Sequence, residues 1–257
     1  MNEIERATYL KRIGYEGKTE VSKECLEALM ELHLRNVPFE NLESYKEGKV
    51  PSLESSDVYE KIVIRKRGGY CFELNKLFYE LLKASGFQAI PVGVRILWKK
   101  EKLPPMLHRA TLVTLGSDMY YCDIGYGGPG PKHPVKLEDG IHEENGGEFR
   151  IMMKPEGTNG EILIERRKGN TYIPLLRFRM SPTLEVDFEL MNFYCATSPD
   201  VIFTQKRVLS RNTLGGSVAL TGNVLSIQYA DGSLDCQETS SDETLREWIR
   251  SYFEIQV

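Results

Sequence analysis

The strongest constraint on what this chain can fold into is a change of hydrophobic period near residue 87. Before it, apolar residues recur at helical spacing. In Ser22–Arg35, Cys25, Ala28, Leu29 and Leu32 occupy i, i+3, i+4 and i+7, one face of a helix, with Ser22 placed to cap the first turn. Pro38 in VPFENLESY then ends helical propensity. A second run starts at Cys71: Leu74, Leu77, Phe78, Leu81 and Leu82 share a face, and Gly86 supplies the stop. Beyond residue 87 come AIPVGVRILW, RATLVTL, MYYCDIGY, EFRIMM, EILIERR and YIPLLRFRM, short β-rich segments divided by Gly, Pro, Asp or Asn turns. From about Val186 the texture mixes, with a helix near Asp187–Ala196, strands around SVALTGN and VLSIQYADGS, and a final helix from Ser241. Helices, then strands, then both indicate the α+β class. The expected regions are 1–86, helical and carrying Cys71; 87–184, strand-rich; and 185–257, mixed. No repeat or long linker separates them, and 257 residues suffice for a core without staples.

Charge and cysteine usage narrow the function classes. The 33 basic and 37 acidic residues give −4, and no Lys/Arg-rich run stands out, which argues against nucleic acid as the main partner. No apolar stretch is long enough to span a membrane, and the start, MNEIERATYLKRIG, lacks the apolar core of a secretion signal. Five cysteines (Cys25, Cys71, Cys122, Cys195, Cys236) at irregular distances fit reduced thiols in a cytoplasm better than disulfides or zinc.

One of these cysteines sits in RGGYCFELN, behind two glycines and ahead of a helix. At a helix start the thiol meets the positive end of the dipole, which favours thiolate. Gly68 and Gly69 allow a sharp turn and leave space for a ligand, and first-turn N–H groups suit a developing oxyanion. The bland alternative is a small buried hydrophobe capping a core helix. A thiolate nucleophile needs a base and an orienting group. Of four histidines, His33 lies within a helix, and His133 and His142 lie in a polar loop. His108 heads the RATLVTL strand, and Asp123 lies in the apolar run MYYCDIGYGG, where a carboxylate requires a partner. Fourteen residues between them suit two strands and a turn, so Cys71, His108 and Asp123 form a coherent triad. GYGGPG at Gly125–Gly130 matches G-x-G-x-x-G, but PGPKHP overlaps it and cannot open a dinucleotide-binding helix. His133, Asp139, His142 and Glu143 follow no metal-ligand spacing, so no metal is expected.

Taken in order, these motifs resemble one family. RGGYCFELN, LHRATLV and CDIGYGG resemble the cysteine, histidine and aspartate segments of the arylamine N-acetyltransferases, the last in its bacterial form. VPFENLE resembles the family's PFENL signature, NFYCATSPDVIFTQKRV its entry to a third domain, and LREWIRSYFEIQV its terminal helix. The resemblance implies a papain-like (cysteine-proteinase-like) core made of helical bundle, β-barrel and α/β lid. It implies ping-pong transfer in which Cys71 takes acetyl from acetyl-CoA, a substrate and not a bound cofactor, and passes it to an arylamine, arylhydroxylamine or hydrazine. It also implies structural support from Arg67, Glu40 and Asn75, and a pocket near Phe39, Tyr126, Gly127 and Phe203, with Lys132 a candidate for the CoA phosphates. Tyr126 stands where the family usually carries Phe, and Phe253-Glu254 where it usually carries Phe-Gly. The rival classes are a papain- or transglutaminase-like hydrolase, an amide synthase of the same fold, and a non-catalytic binder.

Overall fold

Ser22 caps a helix, as the apolar spacing behind it predicts. In the computed structural model, which describes residues 1–144 and 147–256, its hydroxyl accepts the Cys25 N–H at 3.1 Å. The helix it opens, α2 (Lys23–Asn36), follows α1 (Glu3–Ile13), which starts on a reciprocal cap between Asn2 and Glu5. Then come the two-residue strand β1 (Phe39–Glu40), α3 (Leu42–Glu47), and α4 (Ser55–Tyr59), which runs into a π-helical turn at Glu60–Ile64. The second predicted helix is α5 (Cys71–Ala84). Its seam of Leu74, Leu77, Phe78, Leu81 and Leu82 is fully buried against Tyr9, Ile13, Leu26, Leu29 and Met30. Each such side chain contributes about 1.5–3 kcal/mol by leaving water.

The strand-rich middle forms one antiparallel sheet of eight strands: β2 (Gln88–Ile96), β3 (His108–Leu115), β4 (Asp118–Cys122), β5 (Val135–Lys136), β6 (Gly140–Glu144), β7 (Gly147–Met152), β8 (Ile162–Lys168) and β9 (Thr171–Phe178). Their order is β5-β4-β3-β2-β9-β8-β7-β6, and the terminal strands β5 and β6 come together, so the sheet nearly closes into a barrel. Alternate side chains, including Val92, Val94, Leu112, Tyr121, Phe149 and Phe178, fill its interior. His142 belongs to β6, so the polar segment read as loop is partly strand; its charged residues hid a β-period.

The last region contains α6 (Glu185–Thr197), α7 (Ile202–Gln205), β10 (Val208–Thr213), β11 (Gly216–Thr221), β12 (Val224–Gln228), β13 (Leu234–Glu238) and α8 (Asp242–Phe253), with Ser241 capping α8. Its sheet has the order β1-β10-β11-β12-β13, so the edge strand is borrowed from the helical region. Leu245, Ile249 and Phe253 of α8 cover it. Glu254, where the resemblance expects glycine, ends α8 in the left-handed region at φ +59 and binds Arg211 at 2.6 Å. Val257, at the end of the terminal motif, lies outside the described residues. The observed class is α+β. Among the described residues no helix is long and apolar enough to cross a membrane.

Candidate active site

The turn before Cys71 is built by β1. Phe39 bridges Gly69 in parallel, and the Glu40 N–H donates to the Gly69 carbonyl at 2.8 Å. A Cβ on Gly68 would collide with the Pro38 carbonyl oxygen. Gly68 therefore makes room for protein backbone and Gly69 for the Glu73 side chain, not for a ligand as the sequence suggests. Glu40 ties the turn together: one oxygen accepts from Arg67 Nε and Nη2 at 3.0 and 2.8 Å, the other from the Leu42 N–H at 2.8 Å. Glu73 accepts the Tyr70 N–H at 3.1 Å and Lys61 Nζ at 2.7 Å, which fixes the helix start.

The strands bring His108 and Asp123 to the same helix. β3 pairs with β4 so that Thr111 opposes Cys122, leaving Asp123 just past β4 beside the head of β3. His108 Nε2 lies 2.6 Å from Asp123 Oδ2. Asp123 Oδ2 also accepts the Tyr121 hydroxyl at 2.8 Å, while Oδ1 accepts Asn75 Nδ2 at 2.9 Å and the Gly125 N–H at 3.0 Å. Burial alone would raise this carboxyl, but His108, Asn75 and Tyr121 together hold it below the usual carboxylate range. Asn75 further donates to the Arg109 carbonyl at 2.5 Å and accepts the Ile124 N–H at 3.1 Å. One α5 side chain thus pins both strands.

Cys71 is 2% exposed. Burial pushes its thiol well above the ordinary value, and nearby Cys195 and Asp123 act in the same direction. The N–H groups of Arg109 and Phe72 point at the sulfur and oppose this. The helix start favours thiolate, whereas desolvation favours the neutral thiol. Arg109 is the residue after His108, so the sulfur lies against the backbone at the head of β3. All five cysteines are unpaired, and only Cys236 is exposed.

A cavity of about 570 Å³ opens beside this cluster, between the glycine-rich loop after Asp123 and the β10–β12 face. Phe39, Asp123, Tyr126, Gly127 and Lys132 line it. Tyr126 stands edge-on to the His108 ring, centroids 6.0 Å apart. Gly127 has φ +68, and a Cβ there would lie 3.1 Å from the Phe39 ring, so both backbone and space require glycine. Phe203 is not in the lining; it packs behind the wall on Phe39 and Tyr70, at 5.8 and 5.7 Å. Lys132 is joined at the cavity by Arg35, Arg166 and Arg211. The sequence reading missed these arginines because they come from three distant elements. It also missed Tyr121, although Tyr121 and Asp123 share a side of the β-alternation, and Lys61, which no periodicity marks.

Residues 23–257 match the model of the N-acetyltransferase family. The chain is 30% identical to arylamine N-acetyltransferase 1 of Homo sapiens, over 97% of this chain and 93% of the relative. The chain belongs to the arylamine N-acetyltransferase family. The family enzyme of Escherichia coli is 30% identical, over 87% of this chain and 79% of its own. Among solved family structures, that of the M. tuberculosis arylamine N-acetyltransferase superposes with a TM-score of 0.90 at 26% identity, covering 97% of this chain and 93% of that one. Helices, nearly closed sheet and final region therefore follow a family pattern throughout.

Proposed function

We propose that this protein transfers an acetyl group from acetyl-CoA to an arylamine, arylhydroxylamine or hydrazine by a ping-pong route through acetyl-Cys71. The observation that carries the reading is the convergence at the head of β3: His108 held 2.6 Å from Asp123, with the Cys71 sulfur facing the N–H of the next residue. His108 takes the Cys71 proton, and the thiolate attacks the thioester carbonyl. The tetrahedral oxyanion is met by first-turn N–H groups of α5. The C–S bond to CoA breaks, and CoA leaves with the proton from His108. The acceptor amine then attacks acetyl-Cys71, His108 takes its proton, and the amide departs as the sulfur is released. Asp123 orients the imidazole throughout.

In this reading the core is papain-like, with a catalytic helical part (1–86), a barrel part (87–184) and a lid (185–257). The donor enters the cavity beside Gly127, where Lys132 and the neighbouring arginines meet its phosphates. Phe39 and Tyr126 form the acceptor wall, with Phe203 as backing. The unpaired thiols suit a reducing cytoplasm.

Intact-protein mass spectrometry tests the proposal. Acetyl-CoA alone is expected to leave one acetyl group on Cys71, and an arylamine or hydrazine to discharge it with continuous release of CoA. Cys71→Ser should abolish the adduct, while exposed Cys236 serves as the control for adventitious acylation. An unacetylated wild type with no acceptor-dependent CoA release would sink the proposal and leave a hydrolase, amide synthase or binder.

A further inference from the structure

Asp123 Oδ2 serves two donors at once, His108 Nε2 at 2.6 Å and the Tyr121 hydroxyl at 2.8 Å. Tyr121 is fully buried, its ring packed in the barrel core with the Phe178 centroid 5.0 Å away, and its backbone is held between Leu112 of β3 and Val135 of β5. A phenylalanine would fill the same volume, so packing alone does not require the hydroxyl. We infer that Tyr121 is a positioning residue that weakens the hold of Asp123 on the His108 proton by sharing the oxygen that His108 uses. The inference rests on the proposed roles of His108 and Asp123.

A phenol bonded to a carboxylate stabilises the ion and lowers its proton affinity. The imidazolium form of His108 then gains less from Asp123. Neutrality is required in the acetyl-enzyme, where His108 must accept the amine proton. The other groups facing this pair leave Tyr121 as the natural lever. Asn75 and Cys71 approach from α5, the Asn75 amide on the opposite oxygen at 2.9 Å. Tyr126 meets His108 with its ring edge. Cys195 of α6 places its thiol 3.7 Å from the Leu107 carbonyl. The Arg109 guanidinium turns away to Glu185 at 2.6 and 2.8 Å. Among the described residues, only Tyr121 adds a side-chain donor to the oxygen bound by His108.

The experiment preloads the enzyme with acetyl-CoA and follows discharge of acetyl-Cys71 to an arylamine across pH 5–9. In Tyr121→Phe the acid limb of the profile should move up by about one pH unit, with a much smaller change on the plateau. Replacing Tyr121 by 3-fluorotyrosine, a stronger donor, should move the limb the other way, which guards against a misfolded Tyr121→Phe. Titration of the His108 ring by NMR in unacetylated protein should shift with the same signs. Profiles that superimpose, or rates that fall equally at every pH, overturn the inference. A wild type that never acetylates would instead overturn the proposed function, and the NMR titration would still judge Tyr121.

Discussion

Asn75 stands one helical turn beyond Cys71 and donates its side-chain amide to Asp123 Oδ1 at 2.9 Å. The helix that begins at the sulfur therefore also holds the carboxylate. Asn75→Ala would leave the buried Arg109 carbonyl and Ile124 N–H unpaired. A loss of about 2–4 kcal/mol in unfolding free energy is expected by urea titration, with single-turnover discharge slowed at least about tenfold. Unaltered stability and rate would show that the amide is dispensable.

Lys61 is the second fixed point. Its ammonium sits between Glu73 at 2.7 Å and Glu43 at 2.8 Å, nearly out of water. Burial disfavours its charge, but Glu73, Glu40 and Glu43 keep it protonated. Burial also pushes Glu73 up to about 7 against the pull of Lys61. Lys61→Met removes that pull and should cost about 3–5 kcal/mol at neutral pH. With its folded-state value raised above the ordinary 4.5, Glu73 contributes stability at low pH that is lost as pH rises through the folded value. The deficit of Lys61→Met should thus be larger at pH 8 than at pH 5, and Glu73→Gln in the same chain should relieve it. Chemical denaturation at the two pH values measures both; a deficit independent of pH would count against the charge account.

His33 runs the opposite way. Its Nδ1 lies 2.7 Å from the Tyr9 hydroxyl, its Nε2 is buried without a hydrogen-bond partner, and burial lowers it from 6.5 to about 3. The unfolded chain binds a proton there that the folded chain refuses, so stability rises with pH between these values. From pH 7 to pH 5 the wild type should lose about 2 kcal/mol more than His33→Gln. Parallel urea titrations read the difference, and equal losses would refute it.

Much of this was legible in the residues. Period alone places α2 and α5, and the six β-rich segments of the middle fall on β2, β3, β4, β7, β8 and β9. Period does not give pairing. The two residues of β1 carry no repeat, and all five residues of β13 are exposed, so neither has an alternation to read. Cys71, His108 and Asp123 can be singled out from sequence because a candidate nucleophile, base and buried acid each leave a local sign. Lys61 looks locally like an ordinary helix residue, and Asn75 is marked only by the family resemblance; the tertiary arrangement brings both to the same small region. Burial, which raises the Cys71 thiol against the pull of the helix dipole, cannot be judged from a motif.

β1 has a temporal consequence. It forms the edge of the last sheet, Phe39 opposite Ser210 and Glu40 opposite Leu209, while its other side props the turn before Cys71. A chain emerging from the ribosome must expose nearly its whole length before that brace exists. Until β10 arrives, the strand propping the turn before Cys71 has an unpaired edge, so the growing polypeptide cannot complete the candidate site early in synthesis.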